Sequence, residues 1–292
     1  MKIGITGSSG LVGSQLSEKL KKEFHAEILK IPRSYLYGEV QNLSKFLTDC
    51  DVIINLAGAS IVCRWTSNNM KKLYESRVIT TRNLTSAITL MDKKPKLVIS
   101  TSAVGIYDSI HTHDEWSTHY SNDFLGNLCS DWEKPVTEKL EKDVRTIIFR
   151  LGIILSGQGG VLARSLPIFR IGLGGKLGNG KQAFPFIHID DLINAYVYAI
   201  SNTKILGVYN LVAPQLTSNF DYTKELGNAV NRPTIFGVPS AVLRFLFKNG
   251  ANVFLSGQKV LPQRLLNTGF RFEYPKLFQA ISSIVNYSSR KS

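Results

Sequence analysis

The chain has 292 residues, 43% of them apolar and 20% charged, enough for a substantial core in one large α/β domain or two unequal lobes. No run nears the roughly 20 apolar residues that cross a bilayer, and three scattered cysteines (Cys50, Cys63 and Cys129) argue against a disulfide framework or a thiolate metal site. The net charge of +13 favours phosphate-bearing ligands, yet the lysines alternate with acids such as Glu18, Glu23, Glu138 and Glu141 and mostly describe a solvated surface.

Lys2 to Thr6 form a short apolar strand in this reading. Gly7-Ser-Ser-Gly10-Leu-Val-Gly13 follows at once, and Leu11 to Leu20 then show helical spacing. A strand, a glycine turn and a helix in that order make a dinucleotide site. Gly7 permits the tight turn, Gly10 lets a pyrophosphate approach the backbone, and Gly13 lets helix and strand pack closely. Leu11 and Val12 would supply N–H groups to the phosphates. The second strand, Ala26 to Ile31, runs into Pro32-Arg33-Ser34. An NAD-preferring fold places an acidic residue here for the ribose hydroxyls. Arg33 stands in its place, and its planar guanidinium suits a 2′-phosphate, so NADP is the expected cofactor. A surface arginine in a turn is the plainer alternative.

Asp51–Leu56 is the next strand, ending at Ala57-Gly58-Ala59. Lys71 to Leu90 and Leu125 to Leu140 are long enough for crossover helices, with strands at Lys96–Ser102 and Thr146–Leu151. The alternation predicts an α/β fold, a doubly wound parallel (Rossmann) sheet with a smaller C-terminal substrate lobe. Residues 1–150 would bind the cofactor. Residues 151–292 would form the lobe and a helical extension, with later segments returning to the first domain. Pro185 to Ile189 resembles a short strand feeding a helix over Asp191–Ile200, with the His188/Asp190/Asp191 run as its cap. His111, His113 and His119, beside Asp114 and Glu115, permit a metal site but fit a polar loop better, so no metal is assigned. There is no zinc-finger spacing, no ribonucleoprotein motif and no basic tail beyond Arg290-Lys291, which argues against nucleic acid as the partner. Met1 leads directly into the first strand, so a cytoplasmic protein without a membrane partner is expected.

Several motifs together resemble the extended short-chain dehydrogenases/reductases, which include sugar-nucleotide epimerases. Asn55-Leu-Ala-Gly58 is similar to that family's loop after its fourth strand. Ile99-Ser-Thr-Ser102-Ala-Val-Gly-Ile-Tyr107 is similar to its catalytic-serine strand end, and Phe149 to Leu155 to the segment beside the nicotinamide. Gly178 to Gln182 with Phe186 to Asp191 is similar to the substrate-lobe motif. Arg64-Trp65-Thr66, Ser76-Arg77, Asp131-Trp132-Glu133, Gly172 to Gly175 and Gly257 to Pro262 resemble one atypical subgroup, the epimerase family proteins with a short helical C-terminal extension. The resemblance implies that Leu56, Ala57 and Gly58 line the adenosine side and that Arg77 lies near the cofactor phosphates. It also implies that Ser102 orients the reacting oxygen of a small-molecule substrate, a nucleotide sugar or a carbonyl compound.

One motif is missing. Active members of the wider family carry Tyr-x-x-x-Lys on the helix after the serine strand, where the lysine lowers the tyrosine's pKa. The matching positions here are Cys129 and Glu133. A carboxylate beside a thiol disfavours the thiolate, so Cys129 is a poor replacement for an activated phenol. Glu133 is either a general acid or base or a surface helix residue. Tyr107 either faces the nicotinamide or packs, and Arg64 with Trp65 is expected to wall a substrate pocket. Catalytic candidates are therefore Ser102, Glu133 and Cys129. Two functions remain open: an NADP-binding, epimerase-like oxidoreductase, or a non-catalytic NADPH-binding sensor or scaffold.

Overall fold

The computed structural model describes residues 1–140 and 144–289, so Glu141, Arg290 and Lys291 lie outside it. Strand β1 (Lys2–Thr6) is buried over its last four residues and passes through the glycine turn into α1 (Leu11–Phe24). β2 (Glu27–Ile31) follows, then two short helices that the periodicity did not reveal, α2 (Arg33–Leu36) and α3 (Val40–Phe46). β3 (Val52–Asn55) is wholly buried. In this chain the Asn55-to-Gly58 loop therefore follows the third strand, because the second crossover is made of helices alone.

The expected helix over Lys71–Leu90 is broken in an informative way. It consists of α4 (Ser67–Tyr74), a π-helical turn over Glu75–Ile79 and α5 (Thr80–Thr89). β4 (Leu97–Ala103) carries the serine segment. After the two-residue β5 (Thr112–His113) comes α6 (Phe124–Lys139), opened by Asp123, whose carboxylate accepts the Gly126 N–H at 2.9 Å. β6 (Arg145–Leu151), β7 (Ile153–Leu155), α7 (Gly160–Arg170), β8 (Phe186–His188), α8 (Ile189–Ser201) and β9 (Gly207–Leu211) complete the alternating part. The lobe adds α9 (Asn219–Ala229), α10 (Ser240–Phe247), α11 (Asn252–Leu255), β10 (Lys259–Val260), α12 (Gln263–Asn267) and α13 (Leu277–Ser289).

Among the described residues, the main sheet has six parallel strands in the order β2-β1-β3-β4-β6-β9. The order turns around at β1 and β3, so ligands belong at the carboxyl ends of those strands. The chain crosses back to close this sheet: β9 pairs with β6, and α8 packs on α1 over a core of Ile3, Ile5, Leu16, Phe149, Leu192 and Tyr196. A second core, from α7, α9 and α13, holds the lobe together. The cap of α8 comes from His188, whose Nδ1 accepts the Asp190 N–H at 3.1 Å. Asp191 has another task, accepting the backbone N–H groups of Glu273 and Tyr274 at 2.7 and 3.0 Å. Among the described residues no helix is long and apolar enough to cross a membrane.

Candidate functional site

Two cavities, of about 340 and 410 Å³, meet at Ala57 and Gly58 and form one groove over the carboxyl ends of β1, β3 and β4. Each is of a size that holds part of a small ligand. The outer one is built on the glycine turn. Gly7 sits at φ +65°, and a Cβ there would come within 2.7 Å of the Leu56 carbonyl oxygen. A Cβ on Gly13 would run into the Gly7 carbonyl. The turn is closed by the Gly10 N–H donating to the Gly7 oxygen at 3.0 Å. The first turn of α1, with Leu11 and Val12, has no side-chain cap and no acidic residue, which leaves its N–H groups and positive dipole end for an anion.

The loop forming the opposite wall is fastened at both ends. Thr6 Oγ1 accepts from the Leu56 and Ala57 N–H groups at 2.9 and 3.0 Å and donates to Asn55 Oδ1 at 2.8 Å. Ser76 Oγ accepts the Ala59 N–H at 3.1 Å, and Arg77 Nη2 donates to the Ala59 oxygen at 2.9 Å. Ser76 and Arg77 both belong to the π turn, a distortion often found at functional sites. Arg77 lies over the Trp132 ring, 5.2 Å from its centroid, and beside Gly58. Burial lowers its pKa below the usual arginine range, so an anion nearby would relieve the desolvated cation. Arg77 lines the inner cavity. The residue on the outer cavity is Arg33, at the start of α2, exposed and 5.2 Å over the Tyr37 ring.

Ser102 lies on the wall of the inner cavity, 1% exposed, and its Oγ has no hydrogen-bond partner among the described residues. A buried hydroxyl left unpaired costs about 1–3 kcal/mol, so this atom is set up to bond something the protein does not itself supply. Cys129 lines the same cavity; burial, reinforced by the Glu133 carboxylate, pushes its thiol up to about 12. At neutral pH it is a thiol and not a thiolate.

Glu133 is not on the cavity wall. It is buried, and its two carboxylate oxygens accept from Arg150 Nε and Nη2 at 2.8 and 2.7 Å. Arg150 Nη1 donates onward to the Tyr107 hydroxyl at 2.7 Å, and that hydroxyl donates to Asn210 Oδ1 at 3.0 Å. Burial opposes the charge on Arg150, but the Glu133 pair outweighs it and holds the guanidinium above its usual range. The position of the missing lysine is thus occupied by half of a buried ion pair. Tyr107, fully buried, belongs to this network and not to the cleft wall. Arg150 and Asn210 were not singled out by sequence; each sits on a strand far from its partner in the chain.

The expectation for Arg64 and Trp65 does not hold. Trp65 packs edge-on against Phe124 in a core beside the cleft, Arg64 points to solvent, and neither lines the cavity. Trp132 takes that place, its Nε1 donating to Thr81 Oγ1 at 3.0 Å. Asp108, His111 and His119 gather their ligand atoms within 4.8 Å. Yet the His111 and His119 rings are stacked at 4.2 Å and 20°, so their in-plane lone pairs do not converge on one ion. Asp108 is engaged by the backbone N–H groups of Ile110 and His111 and by His111 Nδ1.

Residues 3–124 match the NAD-dependent epimerase/dehydratase family, and residues 238–284 match a domain of unknown function. The chain is 36% identical to the mouse epimerase family protein SDR39U1 over 294 residues, covering 98% of this chain and all of that protein. It is 34% identical to the epimerase family protein SSP1921 of Staphylococcus saprophyticus, covering 97% and 98% of the two chains. The crystal structure of human SDR39U1 (isoform 2) with NADPH superimposes with a TM-score of 0.91 at 33% identity, covering 98% of this chain and 99% of the other.

Proposed function

Because the chain belongs to the SDR39U1-like epimerase family, an atypical branch of the extended short-chain dehydrogenases/reductases, we propose that it binds NADPH and acts as an oxidoreductase on a small carbonyl or alcohol substrate. The observation that carries this reading is the unpartnered, buried Ser102 hydroxyl, facing a cleft continuous with the glycine cradle. The residues present fit the cofactor, since Gly7 and Gly13 let the turn and α1 close against the Leu56 and Gly7 backbone, where a Cβ would collide, and the uncapped first turn of α1 leaves its N–H groups for a pyrophosphate. When bound, NADPH supplies the hydride. Gly7, Gly10, Leu11, Val12 and Gly13 would hold its pyrophosphate, Arg33 its 2′-phosphate, and Leu56, Ala57 and Gly58 its adenosine side. Arg77, a desolvated cation beside Gly58, would face the phosphates from the inner cavity.

Ser102 would donate to the substrate oxygen and fix its orientation, and Cys129, a neutral thiol, would keep that wall uncharged. The Glu133–Arg150 pair positions β6 against α6 and moves no proton in this scheme. The human relative's NADPH supports the choice of cofactor. A second reading, a dinucleotide-holding sensor or scaffold without turnover, draws on that same buried pair, which stands where the wider family keeps its lysine. Calorimetric titration with NADPH and NADH, followed by NADPH oxidation assays across carbonyl compounds with wild type and Ser102→Ala, separates the two. Turnover that Ser102→Ala abolishes supports the enzyme; tight NADPH binding with no turnover on any substrate supports the sensor.

A further inference from the structure

The chain's positive charge is unevenly placed. Residues 144–189 and 226–272 contain no Asp or Glu and six lysines or arginines each, so these stretches hold twelve of the thirteen net charges. They also contain no tyrosine and no tryptophan. Arg145 and Arg150 stay in β6 of the main sheet, where Arg150 is buried against Glu133, but the parts around 170–178 and 232–238 meet on the lobe. The Val238 N–H donates to the Lys176 oxygen at 2.8 Å, the Gly178 N–H to the Val238 oxygen at 2.9 Å, and Arg232 Nε to the Arg170 oxygen at 2.9 Å.

On this surface large apolar side chains stand in water. Phe245 is 79% exposed, Ile235 77% and Ile171 68%, with Phe236, Leu246 and Leu173 exposed around them. Helix α10 reads Ser-Ala-Val-Leu-Arg-Phe-Leu-Phe and is apolar on more than one side: Leu243 packs inward while Val242, Phe245 and Leu246 point out. A helix of that kind needs an apolar medium on its outer face. Arg170, Lys176, Arg232 and Arg244, each within about six residues in sequence of one of these apolar side chains, are exposed as well. This charge excludes a second copy of the same face, which would set cations against cations. Protein hot spots favour Trp and Tyr, and both are absent. Phenylalanine, isoleucine and leucine interspersed with arginine and lysine match the boundary between acyl chains and anionic headgroups.

We propose that this face of the lobe is a peripheral docking surface for an anionic lipid bilayer. The lack of a spanning helix concerns crossing a membrane, not lying on one. Helix α11, which contributes Asn252 and Val253 to the inner cleft, follows α10 closely. A docked lobe would therefore set the cleft beside the bilayer.

The test is vesicle flotation of the full chain at low salt, with phosphatidylcholine alone and with about one third phosphatidylserine. The chain is expected to float with the anionic vesicles only and to be released as salt screens the surface. The double change Ile235→Ser with Phe245→Ser, at positions that touch little, should melt at the wild-type temperature and lose binding about tenfold. Failure of the wild type to float overturns the proposal, as does flotation that the double change leaves intact. Tighter binding to an RNA homopolymer, unaffected by the two serines, would mark a nucleic-acid surface instead. Concentration-dependent dimerisation abolished by them would mark a self-association surface.

Discussion

The outer and inner halves of the groove are built by opposite means. The outer half is made of backbone: glycines that permit close approach, an uncapped helix end, and a loop held at both ends by Thr6, Ser76 and Arg77. The inner half is made of side chains. Cys129 is a neutral thiol, and the buried Ser102 hydroxyl has no partner among the described residues, while behind the wall Glu133 is tied to Arg150 and Tyr107 is locked in a network. A cradle of backbone tolerates few substitutions and keeps the cofactor's geometry. A wall of side chains can be rebuilt around a new reaction, or around none, without disturbing it.

The sharpest challenge to this contrast is Glu133→Ala. It leaves the Arg150 guanidinium buried without its partner and should cost about 3–5 kcal/mol in urea unfolding. A stable variant that merely loses turnover would make Glu133 a catalyst after all. Gly13→Ala pushes a methyl into the Gly7 carbonyl. It should cost about 1–3 kcal/mol and abolish dinucleotide binding by calorimetry; unchanged binding would show that the cradle is not used. Arg33→Ala should weaken NADPH by roughly tenfold to a hundredfold, as expected for a charge-assisted contact, and NADH by less than about twofold. Equal losses would remove Arg33 from the 2′-phosphate. Ser102→Ala deletes a hydroxyl with no partner. Stability should rise by about 1–3 kcal/mol, the cost of the unpaired hydroxyl, while turnover falls about a hundredfold. The smallest expected effect belongs to Cys129, which should resist iodoacetamide in the native protein at about pH 8, whereas the partly exposed Cys63 is labelled.

The same division explains what could be read from sequence. The glycine turn and Arg33 are local: each lies within a few residues of the strand that positions it, so spacing alone carries the inference. The loss of Tyr-x-x-x-Lys was legible for the same reason. What Glu133 does instead was not, because its partner Arg150, and Tyr107 and Asn210 linked in turn beyond it, come from three separate strands or strand ends. Trp65 and Trp132 were likewise indistinguishable by residue type, and only packing decides which one lines the cleft. Helices α2 and α3 are too short for a periodic pattern to emerge. Of the loop clamps, Ser76 and Arg77 stood in a motif, but nothing in apolar periodicity announces a π turn.

That turn has a genetic meaning. A π turn is a helix with one residue more than its length requires. Deleting a single residue at Glu75 would let 67–89 close into an uninterrupted α-helix, drawing in the widened turn that carries Ser76 and Arg77. The shortened helix would be the more regular object, yet Ser76 and Arg77 could no longer both meet Ala59. At this point in the gene, a deletion that improves the helix should unfasten the wall of the groove.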